Sequence, residues 1–354
     1  MKTRILGKNF EVSEIGLGCM GMSQSYGTIP APETMIPVLR GAVEQGVTFF
    51  DTAEMYAIPP QPETYGATEK IIGSWLRKRG KRDDIFLATK VAGAGAMDWM
   101  RPDKAPSRLN RQQMTIALEQ SLTRLGTDHV DLYQLHWPER PAPFGANPTR
   151  FDPTIWADRG DETAIAEQLD VLDSFVKAGK VRFIGLSNES AWGTMSFLKA
   201  SEMAAKARVQ SVQNAYHLLN RTFETAMAEV WMREQVGLLA YSPLAQGFLT
   251  GKYVDGARPA GARVTLFNRQ QRYEKPGSNE AVKDYLQVAK EAGIDGATLA
   301  IAFVMSRPFV TSTIIGATSM EQLKTAIDAG ETVLTADVLE KIDAVHQLRG
   351  NPAP

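Results

Sequence analysis

The sequence predicts an α/β fold, a (β/α)8 barrel of the TIM type, with residues 1–354 forming one domain. Three features point there. Eight short apolar runs alternate with eight stretches of helical period, which is the order of parallel β/α units. Three long connections rich in Gly, Pro or Ala (92–110, 138–160 and 245–279) follow the third, fourth and seventh runs. In a barrel all three rise on the C-terminal face, where active sites form. Finally, the nearest approach to a dinucleotide G-x-G-x-x-G fingerprint, "GLGCMGM" at 16–22, lies within the first strand and its end, which argues against an open doubly wound sheet.

"RILGKNFEVS" reads as a hairpin placed to plug the barrel bottom. The predicted strands are 14–20, 47–53, 85–91, 130–137, 181–188, 209–216, 237–244 and 311–317, each a short β-branched or apolar run. Between and after them come helical patterns, among them "ATEKIIGSWLRKRG", "RQQMTIALEQSLTRLG" and "SMEQLKTAIDAG". Most end in glycine or a basic residue, as helix C-termini prefer. "GATLAIAFVMSR" and the C-terminal "TADVLEKIDAVHQL" are extra helices.

With 39 Lys and Arg against 40 Asp and Glu, the net charge of −1 gives no general attraction to nucleic acid or anionic membrane. The single cysteine, Cys19, excludes an internal disulfide and a cysteine-based metal cluster. The histidines at 129, 136, 217 and 346 lack ligand spacing. No metal is expected. The opening residues hold no apolar run of signal length and no segment approaches a membrane span, so the expected location is the cytoplasm.

Polar residues gather at the same ends of successive strands: Asp51, Lys90, His136, Ser187 with Asn188, and Gln213 with Asn214. Each alone has a plain reading as a loop cap, a solvated charge or a packed histidine. Together they are harder to dismiss, because consecutive barrel strands bring the first three into one pocket and Tyr56 begins the loop above them.

The stretches "FDTAEMY", "LATK" and "LYQLHWP" resemble the signatures of the aldo-keto reductase superfamily, β/α barrels that use NADPH. "AEMYAIPPQPET", "SNES", "LTGKY" and "GATSMEQLKT" are similar to its Tas-type NADP(H)-dependent members in particular. The resemblance implies a catalytic tetrad of Asp51, Tyr56, Lys90 and His136. A free tyrosine ionises near pH ~10, too high for efficient acid–base work near neutrality. Lys90 beside it would lower that value, Asp51 would keep Lys90 charged, and His136 would orient a substrate carbonyl.

The resemblance further implies NADP(H) as cofactor and reversible reduction of a small aldehyde or ketone; the charge balance and hydropathy point to no nucleic-acid or membrane partner. Ser187, Asn188 and Gln213 would meet the nicotinamide carboxamide, and Tyr241 would stack on its ring. Lys252 and Arg263 would contact the pyrophosphate, Ser242, Leu244 and Gly247 would also bind the cofactor, and Gly316, Thr318 and Gln322 would surround the adenosine 2′-phosphate. The loop 245–279 supplies local positive charge through Lys252, Arg258, Arg263, Arg269, Arg272 and Lys275, against Asp255 and Glu274. Thr318 and Ser319 are placed to cap the following helix.

Two departures from the family stand out: Ala326, where many relatives carry an asparagine facing adenine, and the long loop "AIPPQPETYGATE", where many have a short one. The longer loop should narrow the substrate entrance, with Trp99, Met100, Trp137, Phe144, Phe151 and Trp156 as candidate apolar walls. Cys19 and Met20 end the first strand near the expected pocket. Other functions stay open. Lys90 could form a Schiff base in a lyase if its ammonium were disfavoured, and a nucleotide-sensing subunit with slow turnover would use the same cofactor residues. The oligomeric state is left open.

Overall fold

A computed structural model describes residues 1–8, 10–22, 32–142, 151–267 and 272–354. Strands β1 (Thr3–Leu6) and β2 (Phe10–Ser13) pair antiparallel as the hairpin. The barrel strands are β3 (Ile15–Gly18), β4 (Phe49–Asp51), β5 (Phe86–Val91) and β6 (Val130–Leu135), followed by β7 (Val181–Ser187), β8 (Val209–Ala215), β9 (Gly237–Tyr241) and β10 (Val310–Ile315). They close in the order β10-β3-β4-β5-β6-β7-β8-β9, every pair parallel. The predicted (β/α)8 barrel is the observed fold. Its strands are shorter than expected where the backbone leaves the ladder. β9 stops at Tyr241 because Ser242 turns left-handed at φ 58° and Pro243 has no N–H to donate.

Side chains alternate across each strand, and the inward set changes character from bottom to top. Phe49, Phe86, Ala88, Leu132, Leu239 and Ile314 form one apolar cluster with Leu6 and Val12 of the hairpin, and Phe10 and Phe183 pack against it. The hairpin thus plugs the N-terminal end. Arg4 fastens it there, donating to the carbonyls of Met305, Arg307 and Val310 at 2.6, 2.9 and 2.7 Å. β3 contributes only Gly16 and Gly18 to the interior, where a Cβ would lie 2.7 and 2.9 Å from Ile314, so the isoleucine fills their share.

Outward residues such as Phe50, Leu87, Tyr133 and Ile184 join the larger core beneath the helices. The helices begin and end where their chemistry dictates: Asn110 accepts from the Gln113 amide at 2.9 Å to start Arg111–Leu125, and left-handed Gly126 ends it. The two extra helices are Gly296–Met305 and Ala336–Arg349. Among the described residues no helix is long and apolar enough to cross a membrane.

Candidate active site

At the C-terminal end the inward positions turn polar, because the next residues in the alternation are Asp51 after Phe49, Lys90 after Ala88 and Gln134 after Leu132. Asp51 and Lys90 are buried, with Lys90 at 0% exposure. Lys90 Nζ donates to Asp51 Oδ2 at 2.6 Å, to the Thr52 carbonyl at 2.8 Å and to Tyr56 Oη at 3.4 Å. His136 follows β6, and its ring meets the Tyr56 ring edge-on at 5.5 Å between centroids. The four residues named from sequence therefore share one site.

Two glutamines complete the Asp51 environment, one of them, Gln134, absent from the sequence reading. Gln134 and Gln213 donate their amide nitrogens to Asp51 Oδ1 at 3.0 and 2.8 Å. The sequence pattern points to Gln213 through its likeness to cofactor-binding residues, whereas Gln134 stands out only by the two-residue period of Leu132, Gln134 and His136. Asp51 thus holds Lys90 on one oxygen and two amides on the other, which satisfies a buried carboxylate.

Burial would lower the Lys90 ammonium's affinity for its proton, but the Asp51 carboxylate and then the Tyr56 oxygen reverse this and raise its pKa. Burial dominates at Tyr56. It pushes the phenol up to about 12 even though Lys90 pulls the value down, so the expected lowering by Lys90 is present in sign and outweighed in size. Desolvation, followed by the Lys90 charge, holds His136 well below the usual histidine range, leaving it neutral. Its Nδ1 is buried without a partner among the described residues. Cys19 is buried and its thiol is pushed up, first by desolvation and then by Asp51, so packing is its role.

An apolar wall stands beside Tyr56. Ala53, Met55, Tyr56, Ala92 and Met100 cluster, with Trp99, Trp137, Tyr65, Ile58 and Met20 packed against them. Trp137 Nε1 donates to the Ala94 carbonyl at 2.8 Å. Gly93 makes room, since a Cβ there would meet Trp137 Cδ1 at 2.5 Å. Phe151 and Trp156 depart from the expected wall: they are 80% and 50% exposed and lie outside this cluster. Phe144 is outside the described residues.

Across the mouth, Asn188 bridges the two sides. With φ at 52° it turns out of β7, donating Nδ2 to the His136 carbonyl at 2.8 Å while accepting from the Tyr241 hydroxyl at 2.7 Å. Ser187 donates to the Gln213 carbonyl at 2.8 Å. After β9 the chain runs through Ser242 and Leu244 into a turn in which Ala245, Gln246 and Gly247 all have positive φ. Lys252 lies over Gly247, where a Cβ would come within 2.8 Å of its Cε.

Both acids of this loop are already engaged, Glu274 by Arg258 and Asp255 by Lys283. Lys252, Arg272 and Lys275 form no ion pair among the described residues, and Lys275 Nζ is buried without a hydrogen-bond partner there. Lys252 is lowered by desolvation and by the charge of Arg263, and Lys275 by desolvation and by Arg272. Arg269 lies outside the described residues. Cations that repel one another with no carboxylate between them fit an anionic ligand.

After β10, Gly316 leaves open space at its Cα. Ser319 caps the helix Met320–Glu331 by accepting from the Gln322 amide at 3.2 Å. The Gln322 side chain folds back to accept from Thr318 N at 3.0 Å, so the residues named there are joined in a helix cap. Ala326 is buried within the core.

The profile of the Aldo/keto reductase family matches residues 14–347. The protein tas of Escherichia coli K12 is 45% identical over 354 residues, covering 99% of each chain. An aldo-keto reductase of Babesia bovis is 36% identical over 74% of this chain and 95% of its own. The aldo-keto reductase yakc [NADP(+)] of Schizosaccharomyces pombe is 33% identical over 71% of this chain and 63% of its own.

Proposed function

The chain belongs to the aldo/keto reductase family of oxidoreductases, and from that premise we propose that it reduces aldehydes or ketones reversibly with NADPH, drawing the proton from Tyr56. One observation carries the reading: a buried Asp51–Lys90–Tyr56 chain of contacts beside neutral His136 at the barrel mouth. Lys90, kept an ammonium by Asp51, is a poor nucleophile, which weighs against a Schiff-base lyase. Tyr56 remains a phenol through neutral pH, so its Oη holds the proton that a developing alkoxide needs. Lys90 Nζ is placed to stabilise the phenolate left behind, and His136 to offer a hydrogen bond to the carbonyl oxygen.

The nicotinamide cofactor would supply the hydride. Ser187, Asn188, Gln213 and Tyr241 would hold its nicotinamide end, and Ser242, Leu244, Gly247, Lys252 and Arg263 its pyrophosphate. Gly316, Thr318 and Gln322 would take the adenosine 2′-phosphate. Support for a phosphate-rich ligand comes from Lys252, Arg272 and Lys275, which form no ion pair among the described residues, and support for NADPH over NADH from the name of the fission-yeast relative. Trp99 and Trp137 would face the substrate.

The test is a fluorescence titration with NADPH and NADH, followed by a panel of aromatic and aliphatic carbonyls. Tighter NADPH binding with carbonyl-dependent oxidation is the expected result. Binding without turnover across the panel would favour a sensing subunit, and absence of nucleotide binding would remove the cofactor assignment.

A further inference from the structure

Glu54 lies in the chain between Asp51 and Tyr56, yet its carboxylate touches neither. It is fully buried, as is Arg101, and the two form a two-armed pair: Arg101 Nη2 donates to Oε1 and Nη1 to Oε2, both at 2.9 Å. Oε1 also accepts from the Ala92 amide at 2.8 Å and Oε2 from the Tyr65 hydroxyl at 2.6 Å. The backbone of Glu54 is engaged at both ends, its N–H donating to the Lys90 carbonyl at 3.2 Å and its carbonyl accepting from Gly66 N at 2.8 Å. One residue thus joins three segments: the strand carrying Lys90, the far end of the proline-rich loop, and the connection after β5 that carries Trp99 and Met100.

Replacing a buried ion pair by apolar side chains is often neutral or stabilising, so stability alone is a weak reason for this arrangement. A planar guanidinium fork against a carboxylate, by contrast, fixes both distance and orientation. Met100 and Trp99 pack in the same cluster as Tyr56, so the position of the wall and that of the hydroxyl are set through the same contact.

We propose that Glu54 and Arg101 are positioning residues whose ion pair places the Tyr56 hydroxyl against Lys90 and the Trp99–Met100 wall against the substrate, coupling substrate fit to proton delivery. This deepens the reductase reading and rests on it. A misplacement on the order of 1 Å at a reacting group can cost about a hundredfold in rate.

The experiment compares wild type with Arg101→Lys, Glu54→Gln and Tyr65→Phe. It measures NADPH affinity, and kcat and KM separately for 4-nitrobenzaldehyde and propanal. Arg101→Lys and Glu54→Gln should lower kcat by about 10- to 100-fold and change the preference between the two aldehydes. NADPH affinity should stay within about twofold, because the proposed nucleotide residues lie across the mouth. Tyr65→Phe, which keeps the ion pair, should give the same pattern at a few-fold size. Folded variants with wild-type kcat and unaltered aldehyde preference would overturn the proposal. Should both charge variants fail to fold, Tyr65→Phe decides on the same readouts. A wild type that binds NADPH and reduces neither aldehyde would instead remove the reductase reading, and this proposal with it.

Discussion

On the side of the mouth built after β4, β5 and β6, Lys90 lies 2.6 Å from Asp51, and Arg101 grips Glu54 with both arms. On the side built after β9, Lys252, Arg272 and Lys275 find no carboxylate among the described residues. Both regions are rich in cations, and what differs is whether an acid comes with each. Where the acid is built in, the cation is fixed and its charge is reserved for one neighbour, as Lys90 is for Tyr56. Where it is missing, the like charges of the loop repel one another, and an incoming anion would relieve that repulsion. Charge pairing therefore separates a side suited to proton handling from a side suited to ligand capture.

The largest effect should come from breaking the paired side at its end. Tyr56→Phe removes one hydroxyl from a ring that keeps its packing beside Met100 and His136. We expect kcat for carbonyl reduction to fall by about 10²- to 10⁴-fold, the range for a positioned acid, with NADPH affinity unchanged by titration. A variant retaining more than a tenth of the wild-type kcat would show that the proton comes from elsewhere.

The opposite pattern is expected on the unpaired side. Lys252→Ala should weaken NADPH binding by about 10-fold, near the lower end for a charge-assisted hydrogen bond at a partly exposed site. At saturating cofactor, kcat should stay within about twofold, and the dependence of affinity on salt should become shallower. A fall in kcat at saturation would mean that Lys252 acts on chemistry and that the two sides are not separate.

How far this division could be read beforehand depends on how local its signals are. The strands were legible because each combines an outward apolar set with a two-residue alternation, and Asp51, Lys90 and His136 stand at the ends of three such runs. Gln134 carries the same two-residue signal, but an amide among charged neighbours does not by itself mark a site. Glu54 and Arg101 could not be paired in advance, because 47 positions separate them and only the barrel brings β4 beside β5. Phe151 and Trp156 lie away from the wall for a related reason: a loop's path, which the sequence does not encode locally, decides where its aromatics end up. In the cation loop the sequence reading found the excess of positive charge. It could not tell that Arg258 and Lys283 would occupy the loop's two acids, Glu274 and Asp255, and leave Lys252, Arg272 and Lys275 without an ion pair among the described residues.

The smallest expected effect tests whether the unpaired side resists a further positive charge. His217 is fully buried beneath the loop, its ring 5.6 Å from that of Tyr273. Its Nδ1 accepts from the Leu219 amide at 3.2 Å, and its Nε2 has no partner among the described residues. Burial, and then the Arg272 charge, lower its pKa to about 3. The unfolded chain takes up this proton near pH 6.5 and the folded one does not until about pH 3, so acid favours unfolding. Stability from this group is fully present above about pH 6.5 and is lost progressively as the pH falls toward 3. Between pH 7 and pH 6 the expected loss is about 0.7 kcal/mol. Urea unfolding at both pH values, without nucleotide, should show that loss in the wild type. In His217→Gln the change between the two pH values should be smaller by the same amount, since the remaining histidines contribute equally to both proteins. An identical pH dependence in the two would mean that His217 is readily protonated in the folded state, and that the loop tolerates one more cation without an anion to balance it.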